Sequence, residues 1–313
     1  MDFKEFFANE FEKVSFDVPL KNVTTFRIGG PCSVLVEPCN QEEIKKALAF
    51  CKNNGVKYFI LGNGSNVLAS DSGFDGVVVK LGVRFAQLWE EEGVLFAQSG
   101  AFTKSVFDFA LKNELGGTEF MAAIPSSVGG AVVMNAGCFG SEMSDIVSRV
   151  WATDGKDDRV FLHDEIGFSY RDSVFQKNGF VITKVEFDLK PSSRNYILRL
   201  ADELKTAKRL SQPLEFFSAG SVFKRPECGF AASLIDRCGL KGKKIGDAQI
   251  SEKHAGFIVN RGKATCGDVL QLVQIAKSKV RADFGVDLQL ELKLLGDTDD
   301  IRRLSYSYGV QPR

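Results

Sequence analysis

Two hydrophobic periods alternate along the chain, and the places where one gives way to the other mark its parts. CSVLVEP (32–38) is a short apolar run that reads as a strand. QEEIKKALAFCKNN (41–54) repeats its apolar positions every three to four residues, which predicts an amphipathic helix stopped at Gly55, and KYFILG (57–62) returns to strand character. GVVVKL (76–81) continues the β pattern, and FTKSVFDFALKNELGG (102–117) predicts a second amphipathic helix ending at a glycine pair. From about 145 to 190 the runs RVWATD, DRVFL and FVITKVEFDL are short, β-rich and separated by polar turns. PSSRNYILRLADELKTAKRLSQP (191–213) opens as a loop and becomes a cationic helix limited by Pro213. A helix around ASLIDRCGL, a longer one across ATCGDVLQLVQIAKSKVRADF and a final strand VDLQLELKLLG (286–296) complete the pattern. These elements predict an α+β chain divided into 1–82, 83–190 and 191–296, with 297–313 as a tail lacking apolar periodicity.

Composition narrows the classes. A chain of 313 residues with 44% hydrophobic and 26% charged residues can bury a sizeable core in more than one compact part. Its 40 basic and 40 acidic residues cancel, so it has no net field to hold nucleic acid or an acidic membrane surface, and any anion must be bound locally. MDFKEFFANEFEKVSF is charged throughout and lacks the apolar stretch of a signal peptide, and no run approaches the roughly 20 apolar residues of a membrane span; a cytoplasmic protein is expected. Seven scattered cysteines without a CxxC pair indicate neither a disulfide framework nor a zinc site. Two histidines, His163 and His254, disfavour a histidine-rich metal centre or a Ser-His-Asp hydrolase.

Three glycine loops carry the chemistry. LGNGSNVL sets Gly62, Asn63, Gly64, Ser65 and Asn66 directly after an apolar strand, where unhindered backbone amides can wrap a phosphate. It is neither the GxGxxG fingerprint nor a P-loop, and the alternative is an ordinary turn. AAIPSSVGGAVVMNAGCFG (122–140) repeats the theme with Ile124, Pro125, Ser126, Ser127, Gly129, Gly130, Asn135, Ala136 and Gly137, and its run of small and apolar residues suits backbone packed against a flat cofactor. TTFRIGG adds Arg27, Gly29 and Gly30.

TTFRIGG, LGNGSNVL, AIPSSVGGAVVMNAG, FSYRDSVF, SAGSVFKRP and EKHAGFIVN follow one another in that order, and over roughly residues 20–296 the chain resembles the UDP-N-acetylenolpyruvoylglucosamine reductases, the MurB family of UDP-N-acetylmuramate dehydrogenases. The resemblance implies a two-subdomain FAD-binding unit of the PCMH, or vanillyl-alcohol-oxidase, type followed by a C-terminal α+β substrate-binding domain. It implies noncovalent FAD, NADPH as hydride donor and UDP-N-acetylglucosamine enolpyruvate as substrate, in peptidoglycan precursor synthesis. The segment between SYRDSVF and SAGSVF leaves no room for the tyrosine loop of the family's longer form, so the shorter form is the one resembled.

By the same resemblance Ser221 matches the proton-donating serine, with Lys224 beside it in sequence, Arg171 matches the family arginine and Glu291 the glutamate near the C-terminal strand. Hydride addition to the enolpyruvyl C=C builds an enolate-like charge, which requires donors beside it and a proton source. From local sequence alone Arg171 also reads as a surface cation near a strand end, and Glu291 as the solvent face of an edge strand on which Gln289 and Lys293 also lie. Tyr170 is expected to line the substrate pocket, and Gln249 and His254 to border it. Lys205, Lys208 and Arg209 share one helix side and suit either a diphosphate or solvent. Departures from the family pattern fall at Ala123, Ser126, Gln289 and Leu290; the first pair predicts a second loop slightly farther from the cofactor. An alcohol oxidase of the same flavin fold, or a flavin-binding regulator without turnover, would keep the glycine loops but not the trio Arg171, Ser221 and Glu291.

Overall fold

The computed structural model describes residues 2–296; the expected tail from residue 297 lies outside them. The chain forms two compact units: of the described residues, 2–16, 34–63 and 76–208 make one, and 17–33, 64–75 and 209–296 the other. This differs from three consecutive segments, because two short N-terminal pieces, 17–33 and 64–75, belong with the C-terminal part.

The first unit holds two cores. One is built on the helix Gln41–Asn53, whose start is fixed reciprocally: Asn40 accepts from the Glu43 amide at 2.8 Å, and the Glu43 carboxylate accepts from the Cys39 amide at 2.9 Å. Its inner face, Ile44, Ala47, Leu48 and Cys51, packs with Val77 and Val79 of the strand Phe74–Lys80. That strand pairs in parallel with Tyr58–Leu61, Tyr58 opposite Val77 and Leu61 opposite Lys80. The charged N-terminal segment, for which no element was predicted, holds a helix, Phe3–Glu10: Phe6 stacks on Phe50 at 3.8 Å between centroids and Phe7 is fully buried, so the phenylalanines rather than the charges decide its fate.

The second core lies against a five-stranded antiparallel sheet, ordered Asp158–Leu162, Val147–Thr153, Val181–Phe187, Val94–Gln98, Leu88–Glu91. The helix Thr103–Lys112 covers it with Val106, Phe107 and Leu111. This helix stops at Lys112, short of the expected 117, because Glu114 and Gly117 adopt left-handed φ of 55° and 109°. The small apolar run after Ser127 forms a helical turn and a half, Val128–Val133; Ser127 caps it by accepting from the Gly130 amide at 3.3 Å.

The second unit is organised by the helix Cys266–Phe284, which buries Val269, Leu270, Leu272, Val273, Ala276 and Val280. Thr265 and Asp268 form a capping box, and the Asp71 carboxylate accepts from the Cys266 and Gly267 amides at 2.8 and 3.1 Å, placing an anion at the positive end of the helix. A three-stranded antiparallel sheet, Lys244–Ile245, Ala248–Ile250 and Ile258–Asn260, joins this helix. Of the expected final strand only Lys293–Leu295 is regular, paired in parallel with Val67–Ala69. Leu288, Leu292 and Leu295 are buried, so the alternation slips after Leu292. There the chain changes partner: Leu290 bridges Phe223, whereas Lys293 pairs with Val67.

Candidate active site

In the first unit, the start of the first glycine loop meets the second. Asn63 Nδ2 donates to the Pro125 carbonyl at 2.7 Å, and a Cβ on Gly62 would stand 2.1 Å from Ser127 Oγ. Gly129 also lies close to Ser99, whose Cβ would be 2.8 Å from an added Cβ. The glycines therefore serve first to bring loop against loop. Ala123, at the start of this loop, accepts through its carbonyl from Lys208 Nζ, and burial pushes the Lys208 pKa down. Lys208 is thus turned onto the second loop's backbone, while Lys205 lies over the Phe107 ring at 5.2 Å.

The end of the second loop holds Arg171. Its guanidinium donates to the carbonyls of Asn135 at 3.4 Å and Gly137 at 3.2 Å. Asn135 is fully buried; its side chain donates to Glu142 and to the Ser169 carbonyl and accepts from the Ser144 amide. Ser173 Oγ and Gln176 Nε2 both donate to the Val133 carbonyl, and Gln176 also holds the Arg171 carbonyl at 2.9 Å. FSYRDSVF is accordingly a turn tied down to residues 133–137, with Tyr170 exposed beside the Arg171 guanidinium, 5.3 Å from ring centroid.

In the second unit, the segments that carry Ser221 and Glu291 are paired through their backbones. The Glu291 amide donates to the Val222 carbonyl at 2.9 Å, and the Lys224 amide to the Gln289 carbonyl at 2.8 Å. On the other side Ser221 bridges Phe257, with the Val222 amide donating to the Gly256 carbonyl. SAGSVFKRP is thus threaded between EKHAGFIVN and LQLEL, and Gln289 and Leu290 sit within this register. Asn66 joins the same group: its Nδ2 donates to the Glu291 carbonyl at 3.1 Å, and its own carbonyl accepts from the Lys293 amide at 2.9 Å. Gly220, at φ 77°, lies beside the Ser65 carbonyl.

TTFRIGG packs on the other side of Gly64, where a Cβ would be 2.6 Å from the Val23 carbonyl. Gly29 and Gly30 press on Ala69 and the Asp71 carbonyl in the same way. Thr25 Oγ1 donates to the Ser218 carbonyl at 2.8 Å, and the exposed Arg27 lies over the Phe217 ring at 4.1 Å. Gln249 and His254 are held by their own surroundings. Gln249, buried, donates to the Gly242 carbonyl and to Glu252, and His254 Nδ1 accepts from the Gly256 amide at 3.2 Å. Burial holds the His254 imidazole below its ordinary pKa of 6.5.

The loops GNGSN and IPSSVGG offer amides and hydroxyls and contain no carboxylate, a donor set that fits a diphosphate-bearing cofactor. Residues 32–160 match the FAD binding domain family, and the fold and loops define a flavoprotein oxidoreductase. Residues 212–295 match the family described as UDP-N-acetylenolpyruvoylglucosamine reductase, C-terminal domain. The chain is 42% identical over 302 residues to UDP-N-acetylenolpyruvoylglucosamine reductase of Clostridium botulinum (strain 657 / Type Ba4), spanning 96% of this chain and 97% of that one. It is 41% identical over 290 residues to the protein of the same name from Clostridium novyi (strain NT), spanning 92% and 94%. The crystal structure of UDP-N-acetylenolpyruvylglucosamine reductase from Thermus caldophilus matches with a TM-score of 0.78 at 37% identity, covering 90% of this chain and 99% of that one. The chain belongs to the UDP-N-acetylenolpyruvoylglucosamine reductase family. Among the described residues no helix is long and apolar enough to cross a membrane.

Proposed function

We infer that the chain reduces UDP-N-acetylglucosamine enolpyruvate to UDP-N-acetylmuramate, with NADPH as electron source and FAD held noncovalently, in the bacterial cytoplasm where peptidoglycan precursors are made. The observation that carries this reading is the pairing of the Ser221 and Glu291 segments, Glu291 amide to Val222 carbonyl at 2.9 Å, in a chain of this family. When bound, FAD would supply hydride for reduction of the enolpyruvyl double bond. The chain must then stabilise the negative charge left on the neighbouring carbon and its carboxylate and return a proton to that carbon.

Ser221 is the proton donor in this reading, and Glu291, fixed on the adjoining backbone, holds the substrate beside it. Arg171 supplies a planar fork suited to a carboxylate, with its direction set by the carbonyls of Asn135 and Gly137. Gly62, Asn63, Gly64, Ser65 and Asn66, together with Ile124, Pro125, Ser126, Ser127, Gly129 and Gly130, cradle the FAD; Tyr170 and Lys224 contact the nucleotide sugar. Residues 1–82 and 83–190 act as the flavin-binding portion and 191–296 as the substrate-binding portion. An alcohol oxidase of the same fold would have no use for a serine and a glutamate placed on paired backbone.

The test is anaerobic. Purified protein carrying FAD is bleached with NADPH and then given the enolpyruvyl sugar; reoxidation of the flavin band is the expected result. A band that bleaches but ignores the sugar rejects the substrate, and a chain that takes up no FAD rejects the flavoenzyme reading.

A further inference from the structure

Asn260 has no role in the reaction described above, yet its carboxamide uses all its hydrogen-bonding capacity at one place. It is 2% exposed. Its Nδ2 donates to the carbonyls of Phe26 at 3.1 Å and Arg27 at 3.4 Å, while its Oδ1 accepts from the amides of Gly262 at 2.9 Å and Ala264 at 3.1 Å. Its backbone amide donates to the Phe217 carbonyl at 2.8 Å. One residue thereby grips both members of the Arg27–Phe217 stack by their main chains.

The stack needs such a grip. Arg27 adopts φ 54°, a left-handed conformation uncommon for a residue with a long side chain, which persists only when neighbouring groups impose it. Among the described residues its guanidinium has no ion pair, and it lies over an exposed phenylalanine, 4.1 Å from the centroid. A cation over an exposed ring gains only about 0.5–1 kcal/mol, too little to hold the backbone by itself. The two Asn260 donors, reaching the carbonyls on either side of the Arg27 amide, supply what the stack lacks.

We propose that Asn260 is a positioning residue for the reaction: its carboxamide fixes the left-handed Arg27 backbone and the Phe217 main chain, and so presents the Arg27 guanidinium to the anionic part of the flavin cofactor. This rests on the flavoenzyme reading and on Arg27 as a cofactor contact. It gives Asn260 a task that a buried asparagine serving stability alone would not have.

The experiment compares FAD dissociation constants of the full chain, measured by flavin fluorescence, for wild type, Arg27→Ala, Asn260→Asp and the double variant. Aspartate still accepts from Gly262 and Ala264 but cannot donate to Phe26 and Arg27. Each single variant is expected to bind FAD about tenfold more weakly, in line with the loss of one or two hydrogen bonds. The double variant should bind no more weakly than Arg27→Ala alone, because Asn260 acts through Arg27. If the aspartate fails to fold, Asn260→Ser, which buries no charge, takes its place in the same comparison. Weakening by the Asn260 variant that persists in full when Arg27 is already alanine overturns the positioning role and leaves the flavoenzyme reading intact. Unchanged FAD binding in Arg27→Ala removes the cofactor contact and with it this proposal, and a wild-type chain that binds no FAD overturns the flavoenzyme reading itself.

Discussion

Arg171 and Asn135 meet through the Asn135 carbonyl, 3.4 Å from the guanidinium, and both residues adopt left-handed backbone, φ 55° and 40°. Asparagine tolerates that conformation; arginine rarely does. The turn carrying Arg171 is kept strained by Ser173 and Gln176, which anchor it to the Val133 carbonyl. Such strain is found where a side chain must be aimed, and here it aims a guanidinium.

Arg171→Lys keeps the charge but cannot span the carbonyls of Asn135 and Gly137, since an ammonium is a point charge on a flexible stem. We expect substrate-driven reoxidation of the reduced flavin to slow by about tenfold or more while bleaching by NADPH is unchanged, an effect of order 1.4 kcal/mol on the second half-reaction. Stopped-flow traces of the two half-reactions decide it; equal slowing of both would show that Arg171 serves the loop and not the substrate.

Ser221→Ala removes the proposed proton donor and leaves the backbone pairing with Phe257 untouched. A positioned general acid contributes about 10²–10⁴-fold, and turnover should fall within that range with flavin reduction intact. Turnover within twofold of wild type would move the proton source to another group.

Gly62→Ala sets a methyl 2.1 Å from Ser127 Oγ, the atom that caps Val128–Val133. Overpacking of this kind costs about 1–3 kcal/mol, and the displaced hydroxyl surrenders a cap of about 1 kcal/mol. Urea unfolding should show Gly62→Ala to be strongly destabilising in the wild-type background and much less so in Ser127→Ala, where the nearest remaining atom is Ser127 Cβ at 3.2 Å. Equal penalties in both backgrounds would mean that the loops part instead of clashing.

The helices at Gln41–Asn53 and Cys266–Phe284 were legible because apolar period and capping residues agree in the sequence. The N-terminal helix was not: its charges dominate the local pattern, and the ring that stacks on Phe6 belongs to Phe50, about 44 residues on. The glycine loops could be found, but not their immediate purpose, since nothing local shows that Gly62 faces Ser127 or that Gly64 faces Val23. Ser221 and Glu291 were legible by resemblance, whereas the pairing of the segments that carry them joins stretches about 70 residues apart in number and has no local signal. Asn260 stood inside a quoted motif without a role, because the carbonyls it holds belong to residues 26 and 27, more than 230 positions away. The assignment of residues 17–33 and 64–75 to the C-terminal unit is equally non-local and leaves no compositional trace.

His254 gives a prediction in pH. Burial pushes its pKa below 6.5, with the Lys241 charge acting in the same direction, so the folded chain keeps the imidazole neutral where the unfolded chain would protonate it. Between the depressed folded value and 6.5 the unfolded state binds more protons, and stability therefore rises with pH in that window. The neutral-histidine contribution is complete above 6.5 and is lost as the pH falls toward and through the folded value. His254→Gln, which retains an acceptor for the Gly256 amide, should flatten the decline of the urea midpoint between about pH 7 and pH 5.5. An identical decline in wild type and variant would assign the acid sensitivity to other groups and show that the half-buried imidazole takes up its proton without loosening the Ser221-bearing segment that pairs with Gly256 and Phe257.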